Sequence, residues 1–136
     1  LYLKGLLYML CAKFDESATY YEKSSDASDV LTFVLDYVEA HSSDDCSLEI
    51  IAKEMAYSYQ YVSRCFNNTM KMSFNAYLNL CRVNKACYYL TNTDFSVSRC
   101  GMECGYKSLR SFNRNFKNCM NISPSEYRKQ NSKTDV

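Results

Sequence analysis

The sequence predicts an all-α chain in which two helix-turn-helix subdomains are joined by a long linker helix, about seven helices in all, preceded by an extra N-terminal helix. Three observations carry that prediction. The 136 residues include 3 Gly and 1 Pro against 47% apolar side chains, too little punctuation for a turn-rich β-sandwich and too much hydrophobicity for a disordered chain. Apolar residues recur at the three-to-four spacing of buried helix faces. A unit of two short helices also occurs twice, about fifty residues apart.

Leu1 to Phe14 is apolar apart from Lys4 and Lys13, and the chain starts on Leu rather than Met. The stretch reads as a helix left from a missing upstream domain. It falls short of the roughly 20 apolar residues needed to span a bilayer and carries no small-residue cleavage site, so no membrane partner is expected. The polar, acidic run from Asp15 to Asp29 reads as a linker, which separates residues 1–25 from a domain over 26–136. After Ser28 as N-cap, Val30, Phe33, Val34, Tyr37 and Val38 follow the spacing of one buried helix face. Ser47 caps a second helix with Leu48, Ile51, Ala52 and Met55 on one side; a third starts at Ser58 with Val62, Cys65 and Phe66 inward. These two make the first helix-turn-helix, about 47–70. The linker helix, about 73–92, carries Phe74, Tyr77, Leu78 and Cys81 on one side and Leu80, Val83, Cys87 and Leu90 on the other, so it is buried on more than one face. At 1.5 Å per residue its roughly 28 Å approaches the roughly 34 Å between successive major-groove faces of B-DNA. The second helix-turn-helix covers about 96–120.

The repeat is explicit in the residues. Arg64, Phe66, Asn68, Met70, Ser73 and Tyr77 reappear 50 positions later as Arg114, Phe116, Asn118, Met120, Ser123 and Tyr127. Upstream the offset is 49, with Tyr57 facing Tyr106 and Glu54 facing Glu103, so the second turn holds one extra residue. The second copy closes on Ser123-Pro124-Ser125-Glu126: Ser as N-cap, Pro at N1 where its missing N–H costs nothing, and Glu at N3 completing a capping box.

The net charge of +1 conceals an asymmetry: residues 1–52 hold 3 basic and 10 acidic side chains, or −7, whereas residues 53–136 hold 13 and 5, or +8. A basic C-terminal part suits a polyanionic partner. In a helix-turn-helix the second helix enters the major groove, so its outward face must offer donors and acceptors to base edges. In the first copy that face leaves Tyr59, Gln60, Ser63, Arg64 and Asn67; in the second it leaves Ser108, Arg110, Ser111, Asn113, Arg114 and Lys117. Leu109 either joins Phe112 and Phe116 in the core or points outward to a thymine methyl. Any surface helix shows Arg, Asn and Ser, but two copies with Arg at the same place favour DNA. Lys71, Arg82, Lys85, Arg99, Lys107, Lys129 and Lys133 read as a mixture of phosphate contacts and solvated charges, with Arg82 also a candidate buried structural arginine.

Ser96-Val97 through Gly105-Tyr106, Phe112-Asn113-Arg114-Asn115-Phe116-Lys117, and Ile122-Ser123-Pro124-Ser125-Glu126-Tyr127-Arg128 together resemble the signature of the AraC family of bacterial transcription regulators. Leu48, Ala52, Ser58, Ser63-Arg64-Cys65-Phe66 and Ser73-Phe74-Asn75-Ala76-Tyr77-Leu78 extend the resemblance to the first copy, over about residues 28–130. It implies a seven-helix monomer whose recognition helices lie in adjacent major-groove segments, often bending the DNA. It carries the base-contacting role to Gln60, Ser63 and Arg64 in one head and to Leu109, Arg110, Asn113 and Arg114 in the other. It also implies an upstream sensor or dimerisation domain, through which the full-length protein forms a homodimer. Four positions depart from the family: Ala56 and Lys71 stand where it has glycine, Gly101 where it has alanine, and Asn121 again for glycine. Asn tolerates a left-handed backbone, whereas Lys71 there is strained.

The expected function is sequence-specific binding of double-stranded DNA by a cytoplasmic transcription regulator, an activator that also touches RNA polymerase. The alternative is a helical protein-interaction module that keeps the fold without DNA readout. An enzyme is disfavoured by one His, no glycine-rich phosphate loop and no paired carboxylates in the basic half. No cofactor is expected, and no metal: the 8 cysteines form no Cys-x-x-Cys pair, Cys100 and Cys104 lie one turn apart, and His41 is far from both in sequence. Buried thiols in a reducing cytosol account for them better. The 13 tyrosines read as core packing rather than as a single-strand stacking platform.

Overall fold

The computed structural model describes residues 25–132, so the expected helix over Leu1–Phe14 lies outside the described residues. Seven helices and no strand are found among them: α1 Ser25–His41, α2 Leu48–Glu54, α3 Tyr59–Met70, α4 Phe74–Asn92, α5 Val97–Glu103, α6 Leu109–Met120 and α7 Pro124–Asn131. Helix α1 already includes Ser25, three residues before the expected cap at Ser28, so the Ser- and Asp-rich run from Ser25 to Asp29 is helical rather than linker. Asp26 in its first turn complements the positive end of the helix dipole, which is why an acidic, polar segment is tolerated there.

The chain forms two compact units, one ending at Leu78 and the other starting at Asn79, so the division falls inside α4. This accounts for the two-sided burial of that helix: Phe74, Tyr77 and Leu78 are buried in the first unit, and Val83, Ala86, Cys87 and Leu90 belong to the core of the second.

In the first unit α1 and α2 both pack on α3. Val30, Val34 and Val38, spaced by four, make the buried stripe of α1, with Leu31 beside them. Phe33 and Tyr37, expected on that face, each precede a buried valine of the stripe by one residue, about 100° round the helix from it. They form an outer ladder instead, Phe33 stacking on Tyr37 at 6.2 Å and Tyr37 meeting His41 at 4.5 Å between ring centroids. Phe66 of α3 is fully buried and meets Phe74 and Tyr77 edge-on at 5.7 and 5.8 Å.

In the second unit α5 and α7 pack on α6. The core gathers Cys100, Cys104, Tyr106, Phe112 and Phe116 against Val83, Cys87 and Leu90. The Tyr106 hydroxyl donates to Asn79 Oδ1 at 3.1 Å, so this buried phenol is satisfied. Arg128 reaches back from α7: its Nε donates to the Leu90 carbonyl at 3.0 Å, and its Nη2 lies 3.6 Å from Cys100 Sγ. Leu90 is in the last turn of α4, so the guanidinium meets a carbonyl region the helix leaves short of donors. The capping box of α7 is complete, with Ser123 Oγ accepting from the Glu126 N–H and Glu126 Oε2 from the Ser123 N–H, both at 3.2 Å.

Candidate nucleic-acid interface

Each candidate reading helix is positioned by a turn built the same way. Tyr57 N–H donates to the Ala52 carbonyl and Tyr106 N–H to the Gly101 carbonyl, both at 3.0 Å, and each turn passes through one residue at positive φ, Ala56 at 58° and Gly105 at 104°. Serine then starts the next helix: Ser58 Oγ accepts from the Tyr61 N–H at 3.2 Å, and Ser108 Oγ from the Ser111 N–H at 3.1 Å. The extra residue of the second turn is Lys107, between Tyr106 and the cap at Ser108.

Both helices then divide into an apolar and a polar face. Helix α3 buries Val62, Phe66 and Met70, and α6 buries Phe112 and Phe116. Cys65, expected inward, is only half-buried, because it lies one residue off that stripe. On the open side of α3, Gln60, Arg64 and Asn67 are exposed and Tyr59 is 44% exposed; Ser63 is half-buried and accepts a hydrogen bond from Asn67 Nδ2 at 3.4 Å. On the open side of α6, Arg110, Asn113, Arg114 and Lys117 are exposed. Leu109 is 45% exposed, so of the two orientations open to it the outward one is adopted. Ser108 is exposed, but its Oγ accepts the capping bond, which leaves the hydroxyl proton and one lone pair to offer.

The charges on these faces are uncompensated. Arg64, Arg110, Arg114 and Lys117 have no ion-pair partner among the described residues. Other cations are engaged: Arg99 lies 3.8 Å over the Phe95 ring and 3.7 Å from Glu103, and the Arg82 guanidinium is 5.7 Å from the centre of the Tyr106 ring. Lys71, Lys107 and Lys129 are exposed, Lys85 is half-buried, and Lys133 lies outside the described residues.

Tyr57 is the residue that sequence reasoning missed. Its repeat equivalent Tyr106 is 5% exposed, whereas Tyr57 is 40% exposed and meets Tyr61 at 5.2 Å beside the start of α3. The first turn is one residue shorter than the second, and the repeat alone, which makes the two tyrosines equivalent, does not reveal the reversal.

Residues 51–130 match a family described as a helix-turn-helix domain. An uncharacterized HTH-type transcriptional regulator of Staphylococcus aureus (strain COL) is 31% identical over 111 residues, covering 81% of this chain; the chain spans 15% of that relative's length. The C-terminal domain of AraT, a response regulator from Geobacillus stearothermophilus, superimposes with a TM-score of 0.75 at 27% identity, over 79% of this chain and 89% of that one. A transcriptional regulator from Chromobacterium violaceum, described as an AraC-type DNA-binding domain-containing protein, gives a TM-score of 0.72 at 26% identity, over 82% and 99%. With its paired helix-turn-helices, its capped α7 and these matches, the chain belongs to the AraC-type helix-turn-helix family of DNA-binding domains.

Proposed function

We propose that the chain binds double-stranded DNA sequence-specifically, with α3 and α6 as recognition helices in adjacent major-groove segments, as the DNA-reading part of a transcription regulator. One observation carries this reading. Two helices, one in each compact unit, bury phenylalanine on one side and, at repeat-equivalent positions on the other, hold Arg64 and Arg114 exposed and without an ion-pair partner among the described residues. An unpaired guanidinium on such a helix suits the O6 and N7 of guanine, Gln60 suits adenine, and the outward Leu109 suits a thymine methyl. The full-length protein in this reading is a cytoplasmic activator that touches RNA polymerase and dimerises through an upstream domain.

Selection of the chain on a random duplex library tests the proposal. The expected product is a two-part site with elements about 10 base pairs apart, on which Arg64→Ala and Arg114→Ala each weaken binding by about 1 to 3 kcal/mol. Unchanged affinity in both variants removes these arginines from base readout. Failure to select any sequence, with binding that only falls as salt rises, would make the chain an interaction module that keeps the fold without reading DNA.

A further inference from the structure

Taken separately, the two units carry opposite charge. Residues 25–78 hold 3 basic and 8 acidic side chains, net −5, while residues 79–132 hold 9 basic and 3 acidic, net +6. The same difference appears on the reading faces, position by position. Gln60 of α3 corresponds to Arg110 of α6, and Asn67 to Lys117; the one cation in common is the arginine at 64 and 114. Helix α6 thus presents three exposed cations and α3 presents one. Asp29, Asp36 and Glu39 of α1 are all exposed, so their charge reaches solvent around the first unit.

Duplex DNA attracts cations through a sequence-independent term that dominates non-specific affinity and weakens with salt. A net-negative unit is repelled within a Debye length, roughly 10 Å at 0.1 M salt, and stays on DNA only where contacts to bases outweigh that repulsion. We infer that the second unit is the anchor, binding any duplex through α6, and that the first unit engages through α3 only on a duplex whose bases match it. This deepens the proposed DNA-reading function and rests on it: specificity in this chain comes disproportionately from its acidic, weakly cationic head. Lys117 serves the anchor as a phosphate contact, because it lies two turns beyond the N-terminal residues that approach base edges.

The test is amide chemical-shift mapping of the 15N-labelled chain, titrated at low salt with the duplex selected from the random library and with a scrambled duplex of the same length. The scrambled duplex is expected to shift amides of α6 and leave those of α3 in place; the selected duplex is expected to shift both. In parallel, the triple variant Asp29→Asn, Asp36→Asn, Glu39→Gln is expected to bind scrambled DNA several-fold more tightly at low salt, with the gain vanishing as salt rises. Lys117→Ala is expected to lower the salt slope by about 1, and Gln60→Ala to leave it unchanged while relaxing sequence preference. Equal shifts in α3 and α6 on scrambled DNA, or no gain in the triple variant, would overturn the division between the heads while leaving DNA reading intact. Absence of shifts with either duplex overturns both.

Discussion

At the scale of single residues, the close approach of α5 to α6 depends on Gly101. A Cβ placed there would sit 2.6 Å from Phe112 Cδ1, 2.7 Å from its Cγ and 3.0 Å from its Cβ. Phe112 is completely buried and its ring contacts Tyr106 and Phe116, so it has nowhere to move. In the first copy the equivalent positions are Ala52 and Val62, both buried: the smaller aliphatic partner goes with the larger small residue. The departure from the family's alanine is therefore one half of a volume exchange. Gly101→Ala gains helix propensity of about 1 kcal/mol, but overpacking of a rigid core costs about 1 to 3 kcal/mol, and with ring carbons this near the clash wins. Urea unfolding should show a lower midpoint for Gly101→Ala, and a double-mutant cycle with Phe112→Val should show favourable coupling between the two changes. Additive effects would disprove the exchange.

Element by element, what decides each helix is its ends. Ser47, Ser58, Ser96, Ser108 and Ser123 each accept a hydrogen bond from an N–H of the following first turn; the caps at Ser47 and Ser58 are legible in the sequence because Ser precedes an apolar period, and that at Ser123 because Pro124 and Glu126 follow it. The C-terminal caps of α3 and α6 fall at equivalent positions, Lys71 at φ 56° and Asn121 at φ 67°, both left-handed and each donating its N–H back to the carbonyl four residues earlier. Asparagine accommodates that conformation; lysine meets a Cβ penalty of about 1 to 2 kcal/mol. Lys71→Gly removes the penalty, at an entropic cost of about 0.5 to 1 kcal/mol in the unfolded chain. It should raise stability by up to about 1 kcal/mol, and Asn121→Gly by less, measured as shifts in the thermal midpoint. A fall in the midpoint of Lys71→Gly would show instead that the lysine side chain stabilises the end of α3.

For the molecule as a whole, the second unit is cored by thiols and phenols that must stay protonated. Burial pushes the Cys104 thiol from 9.0 up to about 12, and burial also raises Cys87, Cys100 and the Tyr106 hydroxyl, with Arg128 opposing the rise at Cys100. A folded-state pKa above the unfolded one gives stability that is complete below the unfolded value and is lost as pH climbs towards the folded one. For Cys104 that window runs from 9.0 to about 12. The urea midpoint should therefore be level near neutral pH and fall above about pH 9, and Cys104→Ala should fall less steeply over the same range. An identical slope in that variant would assign the pH dependence to other groups. Among the described residues no three His, Cys, Asp or Glu side chains gather in a way that could hold a metal ion, and no helix is long and apolar enough to cross a membrane.

The sequence by itself determined the helical class, the doubled helix-turn-helix and most of the polar faces that α3 and α6 expose. Each is encoded locally, in the 3.6-residue period, in serine caps and in the side chains repeated at an offset of 50. Arg64, Arg110, Asn113, Arg114 and Lys117 were legible because a charged or amide side chain off the stripe of Val62 and Phe66 in α3, or of Phe112 and Phe116 in α6, has only the solvent side to occupy. Tertiary structure alone decided the outward orientation of Leu109, the reversal of Tyr57 relative to Tyr106, the displacement of Phe33 and Tyr37 to the flank of α1, and the division of α4 between two cores. These four turn on which neighbours fill the space beside an apolar side chain, and that depends on turn length and on residues distant in sequence, which no local period records.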